Sequence, residues 1–131
     1  MIKVICVGKI KEEYLSKLIS DYEKRISKYH KVDILELKDS DIKSEGDLIL
    51  KNIKSSDFLV TMEIGGTNLS SLELSKNIDE WLMKYGNITF VIGGSNGIDE
   101  RVLALAKYRL SFGNNTFPHG LFRGVLLEQI Y

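Results

Sequence analysis

"VIGGSNGIDERV", Val91 to Val102, decides how this chain is built. Ile88 to Ile92 form an apolar run that enters three glycines within five positions, Gly93, Gly94 and Gly97. Two acids, Asp99 and Glu100, and a second apolar run follow. Glycine supplies the positive φ that a sharp turn after a strand requires. Acids at a helix start oppose the positive end of its dipole. The stretch therefore reads as strand, turn, helix. Three uses of the turn stay open: a phosphate cradle, a plain connection, or a backbone wall against a flat, nearly uncharged ligand.

The same alternation extends in both directions. Ile2 to Val7 reads as a first strand ended by Gly8, and Leu15, Leu18, Ile19, Tyr22, Ile26 and Tyr29 keep helical spacing over Lys11 to Lys28. "KVDILEL", Lys31 to Leu37, is a second strand. Ile42, Ile49, Leu50 and Ile53 suggest a short helix, which Gly46 weakens. "DFLVTMEI", Asp57 to Ile64, is apolar or β-branched almost throughout, as a strand covered on both faces would be. Ser70 with Glu73 fits a capping box, with Leu69 and Leu74 as its hydrophobic staple. The helix they open runs to about Lys84 and stops at Gly86. "YRLSF" is a short fifth strand, and Pro118 is placed to begin a last helix. Leu121, Phe122, Val125, Leu126 and Ile130 give that helix a broad apolar face suited to an interface.

Five strands alternating with helices predict an α/β fold, a mainly parallel sheet with helices on both faces. With 131 residues, one domain spanning 1–131 is expected. Ligands in such folds lie beyond the carboxyl ends of the strands. That selects three loops, Ile64–Asn68, Gly93–Gly97 and Gly113–Phe117.

Composition narrows the function. Lysines and arginines balance acids, 18 against 18, which argues against a uniformly basic nucleic-acid binder but leaves room for a local patch. No apolar run is long enough to span a membrane, and "MIKVICVGKIKEEY" lacks the pattern of a signal peptide. Cys6, the one cysteine, sits in an apolar run as a small buried hydrophobe of a reducing compartment. These features make a cytoplasmic protein the expectation. "GGSNG" lacks the spacing of a dinucleotide fingerprint, and no P-loop or hydrolase elbow occurs. His30 and His119 stand far apart, with no Cys/His/acid spacing for a metal. His119 and Arg123 share a helix face beside the third loop, where they would hold a polar or anionic substrate. Glu63 reads equally as a solvated edge residue or a site carboxylate.

Taken in order, "VGKIKEEY", "DYEKRISKY", "VIGGSNG", "LSFGNNTFPH" and "RGVLLEQIY" resemble the small bacterial methyltransferases of the SPOUT class. Those enzymes modify N3 of a pseudouridine in large-subunit ribosomal RNA. The resemblance runs from the first strand to the last residue. It implies a carboxyl-terminal trefoil knot, S-adenosylmethionine as methyl donor, a homodimer, and ribosomal RNA in the assembled ribosome as partner. By position it implies cofactor contacts at Met62, Gly93, Phe112, Gly113, Asn114, Asn115, Thr116 and Phe117. Met62 replaces a usual leucine, a swap that conserves volume. The glycine turn then becomes a wall of the methyl-donor site. His119 would take the ring proton, and Arg123 would contact the RNA backbone or steady the developing anion. Family members continue past the position of Tyr131 with a basic tail. Its absence here sets a second expectation, a dimeric cofactor- or RNA-binding homologue with impaired turnover.

Overall fold

The computed structural model describes residues 1–8, 13–38, 40–93, 97–112 and 129–130. Among these residues, five strands alternate with four helices: β1 (Ile2–Val7), α1 (Glu13–Ile26), β2 (Val32–Leu37), α2 (Ile42–Lys51), β3 (Phe58–Asn68), α3 (Ser71–Tyr85), β4 (Ile88–Ile92), α4 (Glu100–Leu105) and β5 (Tyr108–Ser111). The strands form one sheet in the order β2-β1-β4-β3-β5, and every pair is parallel.

Period-two alternation sorts the core into two layers. Ile2, Val4 and Cys6 of β1, Ile88, Phe90 and Ile92 of β4, and Phe58, Val60 and Met62 of β3 meet Ile19 and Ile26 of α1 and Leu74 and Ile78 of α3. The intervening residues Ile5, Val7, Leu59 and Val91 meet Ile49 of α2 and Val102 of α4. Both faces are therefore covered, and that is why these strands read as nearly continuous apolar runs. Steps toward β2 carry α1 and α3 on one face. Steps toward β5 carry α2 and α4 on the other. All four crossovers thus share one hand, as parallel connections require.

Local signals set the helix ends. Ser70 accepts from the Glu73 amide at 3.1 Å, and the Glu73 carboxylate accepts from the Ser70 amide at 2.9 Å. Leu69 and Leu74 pack in the same cluster, completing the expected staple. Gly86 closes α3 with φ 81° and donates its amide to Leu82. Asp41 caps α2, and Asp99 caps α4.

One expectation changes. The loop expected at Ile64–Asn68 belongs to β3, whose pairing with β5 jumps from Met62↔Leu110 to Thr67↔Leu110. Four residues therefore bulge out of register, and the strand resumes beyond them. A side chain at Gly66 would lie 2.8 Å from the Arg109 carbonyl oxygen, so only glycine lets the bulge sit against β5. The short helix expected around Ile42 and Ile49 is present as α2, and Gly46 lies within it. Its missing side chain admits the Asp99 side chain, which brings the start of α4 against α2. Arg101 fastens that contact with an ion pair to Asp47 at 2.8 Å and a bond to the Lys43 carbonyl at 3.1 Å. The implied knot and most of the last helix fall outside the described residues. Of that helix, Gln129 and Ile130 are described. Ser71 bonds Gln129, and Ile130 packs on the α1–α3 layer.

Candidate active site

The carboxyl ends of β4, β3 and β5 lie side by side. Met62 and Leu110 are register partners there, and both are buried. Ile92, the last residue of β4, is buried in the same layer, and Phe112, just past β5, packs against it. The structure thus brings Met62 and Phe112 to one apolar wall, with Gly93 following Ile92. Parity explains the grouping. Met62, Ile92 and Leu110 all project toward the face covered by α1 and α3. Gly113, Asn114, Asn115, Thr116, Phe117, His119 and Arg123 lie outside the described residues.

Gly93 has a local task. A Cβ there would lie 2.7 Å from the Gly97 carbonyl oxygen and 2.7 Å from Ile98 Cγ1. Its missing side chain is the space through which the chain returns toward α4. Gly97 takes φ 85°, the left-handed conformation that glycine alone adopts without penalty. The positive φ expected of the turn is found at Gly97 and not at Gly93, where the missing side chain instead leaves room for Gly97 and Ile98.

Glu63, in the β3 bulge, is half-buried and paired. Its Oε2 accepts from Thr61 Oγ1 at 3.1 Å and lies 3.4 Å from Arg109 Nε of β5. These partners were missed in the sequence. Thr61 was available, because two-residue spacing puts it on the same strand face as Glu63. Arg109 was not, because only the sheet order brings it near. The charge here is balanced, and the wall formed by Met62, Ile92 and Phe112 is apolar. Such a surface suits a flat organic group better than a polyphosphate.

The nearby acids are held ionised. Bonds from the Ser70 backbone and hydroxyl lower the Glu73 pKa from its ordinary 4.5. Bonds from Arg101 lower that of Asp99, and Asp99 and Asp47 in turn raise that of Arg101. Cys6 is fully buried. Among the described residues no group of His, Cys, Asp and Glu is arranged to hold a metal ion. No helix among them is long and apolar enough to cross a membrane.

A solved structure, the tRNA (m1G37) methyltransferase from Aquifex aeolicus, matches this architecture with a TM-score of 0.55 at 18% identity. The match covers 98% of this chain and 68% of that one, and at that identity it speaks to the fold. Ribosomal RNA large subunit methyltransferase H of Clostridium tetani is 43% identical, over 99% of this chain and 91% of the relative. The protein of that name in Clostridium botulinum strain 657 is 46% identical, with the same coverage. The putative ribosomal RNA large subunit methyltransferase H of Methanococcus maripaludis is 43% identical, again with that coverage. The profile of the family described as "Predicted SPOUT methyltransferase" matches residues 1–131. With its parallel sheet, its strand-end wall and relatives matched along nearly its whole length, this chain belongs to the SPOUT methyltransferase family.

Proposed function

We propose that this protein transfers a methyl group from S-adenosylmethionine to N3 of a pseudouridine in large-subunit ribosomal RNA, acting as a homodimer of one-domain subunits in the cytoplasm. One observation carries the reading: the apolar wall of Met62, Ile92 and Phe112 at the ends of three adjacent strands. The names of the relatives point to the same RNA. The strand ends fit the cofactor, because partly exposed Phe112 and strand-end backbone lie there over buried Met62 and Ile92, with no surplus charge. Met62 and Phe112 would hold the cofactor's apolar parts. Gly93 would contribute backbone, since the space of its missing side chain is already filled. Gly113 to Phe117 would close the site in a carboxyl-terminal knot.

The bound cofactor supplies an activated sulfonium methyl. The protein's share is placement, and holding two reactants in line is worth about 7–11 kcal/mol of barrier. His119 removes the ring proton as general base, and Arg123 steadies the charge left on the ring or holds the neighbouring phosphate. A positioned base contributes roughly 10²–10⁴-fold. His119→Ala should therefore lower turnover by about that factor and leave cofactor affinity unchanged.

The test is methyl transfer from labelled S-adenosylmethionine to large subunits lacking the modification, with calorimetric titration of the cofactor alongside. Transfer to the pseudouridine, with micromolar cofactor binding, supports the reading. Binding without transfer would select an impaired homologue. No binding would remove the site assignment.

A further inference from the structure

The end of the sheet remote from this site has a pattern that methyl transfer leaves unexplained. Four hydrogen bonds tie the strand starts into one row: Ile2 to the Lys31 carbonyl, Ile88 to Met1, Phe58 to Asn87, and Lys107 to Leu59. A cation stands within four residues before the start of every strand in that row. Lys31 precedes β2, the amino terminus of Met1 precedes β1, Lys84 stands before β4, Lys54 before β3 and Lys107 before β5. The four lysines are exposed. The Met1 amine donates to the Gly86 carbonyl at 3.0 Å. Lys107 Nζ and Lys84 Nζ stand 4.7 and 5.6 Å over the Tyr85 ring, which holds both at the surface.

The turns that feed β2 to β5 contain one acid, Asp57, and it faces inward. It is buried, accepting from the Lys54 amide at 3.1 Å and from Thr89 Oγ1 at 3.3 Å. It offers the surface no counter-charge. The helix starts at the opposite end carry Glu13, Glu45, Glu73 and Glu100. A chain of zero net charge is therefore polarised, with a row of cations across one end. Four strand spacings of about 4.8 Å make the row of strand starts about 19 Å across, enough to follow several successive phosphates. Lys84 and Lys51 also complement helix dipoles. Lys31, Lys54 and Lys107 lie outside the helices and have no such task.

We propose that this row is a second RNA-binding face, which grips the phosphodiester backbone of large-subunit ribosomal RNA away from the modified base. The inference rests on the RNA substrate proposed above. The face reads charge rather than sequence, and it would orient the ribosome-bound protein. It also accounts for RNA affinity in a chain with no net charge, because the local density of cations, not their sum, sets the release of counterions.

The test compares wild type with the triple variant Lys31→Gln, Lys54→Gln, Lys107→Gln. Binding to a fluorescein-labelled hairpin of large-subunit RNA is read by anisotropy between 50 and 200 mM salt. Three lost phosphate contacts should flatten the log–log salt slope by about 2.1–2.7, so that wild type weakens about 20–40-fold more than the variant over that range. The matching arginine variant should restore the slope. S-adenosylmethionine affinity and the Trp81 fluorescence melt should stay at wild-type values, which separates a lost contact from lost folding. Equal slopes in a wild type that still methylates large subunits would overturn this inference and leave the methyltransferase reading standing. A wild type that neither binds nor methylates the RNA would remove both.

Discussion

Replacing Gly93 by alanine separates two roles for the glycine turn. If the missing side chain served only a ligand, Gly93→Ala would fold normally and lose affinity. The structure predicts otherwise. The new Cβ would meet the Gly97 carbonyl oxygen at 2.7 Å, Ile98 Cγ1 at 2.7 Å and the Gly97 carbonyl carbon at 2.9 Å. Two of these atoms are backbone, so no rotamer change relieves them. Gly93 is not among the glycines with positive φ, so the cost is steric rather than conformational. Overpacking of this kind costs about 1–3 kcal/mol. For a chain of this length that lowers Tm by roughly 4–11 °C. Trp81 stacks on Phe58 at a centroid distance of 4.5 Å, and its fluorescence reports unfolding in denaturant. Gly65→Ala is the control, because its Cβ would meet nothing within 4 Å. Gly97→Ala should cost about 1–2 kcal/mol for a different reason, its φ of 85° in open space. Should Gly93→Ala unfold within about 0.5 kcal/mol of wild type, as an ordinary surface substitution does, the close return of the chain would be refuted.

Two further outcomes follow from packing and capping. Phe90 is fully buried on the central strand β4, and Phe90→Ala should cost about 3–5 kcal/mol in equilibrium denaturation. Ser70→Ala should cost about 0.5–2 kcal/mol and should also change the acid response of the protein. The native Glu73 pKa is depressed, so its contribution is complete above the ordinary 4.5 and fades as pH falls through the native value. Melting temperatures followed from pH 6 down through that window should drop somewhat less steeply in Ser70→Ala, because the hydroxyl's share in holding the carboxylate is gone while the larger bond from the residue 70 backbone amide remains.

How much was legible beforehand depended on distance along the chain. The capping box at Ser70, the stop at Gly86 and the two-sided burial of the strands are written in neighbouring residues, and each is found where the pattern puts it. The short helix around Gly46 is also legible locally, but the use of that glycine is not, because Asp99, far along the chain, is what needs the space. The β3 bulge was taken for a loop for a similar reason. "GGTN" looks like a turn until β5 supplies pairing partners for Thr67 and Asn68. Strand order is likewise invisible to local patterns, and with it the Glu63–Arg109 pair. At the site, Met62, Gly93 and Phe112 came from family resemblance. The structure explains why Met62 and Phe112 share a surface, through strand parity and the adjacency of β3 and β5.

The place of β1 has a consequence for synthesis. Of the five strands described, β1 is made before the others yet lies between β2 and β4, and Ile2 pairs with both Val32 and Ile88. Once β2 is made, one edge of β1 can pair, but the other stays open until β4 emerges. An unpaired apolar strand edge invites association with other chains. Pairings between distant segments also form slowly. Any chain released before β4 would therefore expose the strand on which the sheet is assembled.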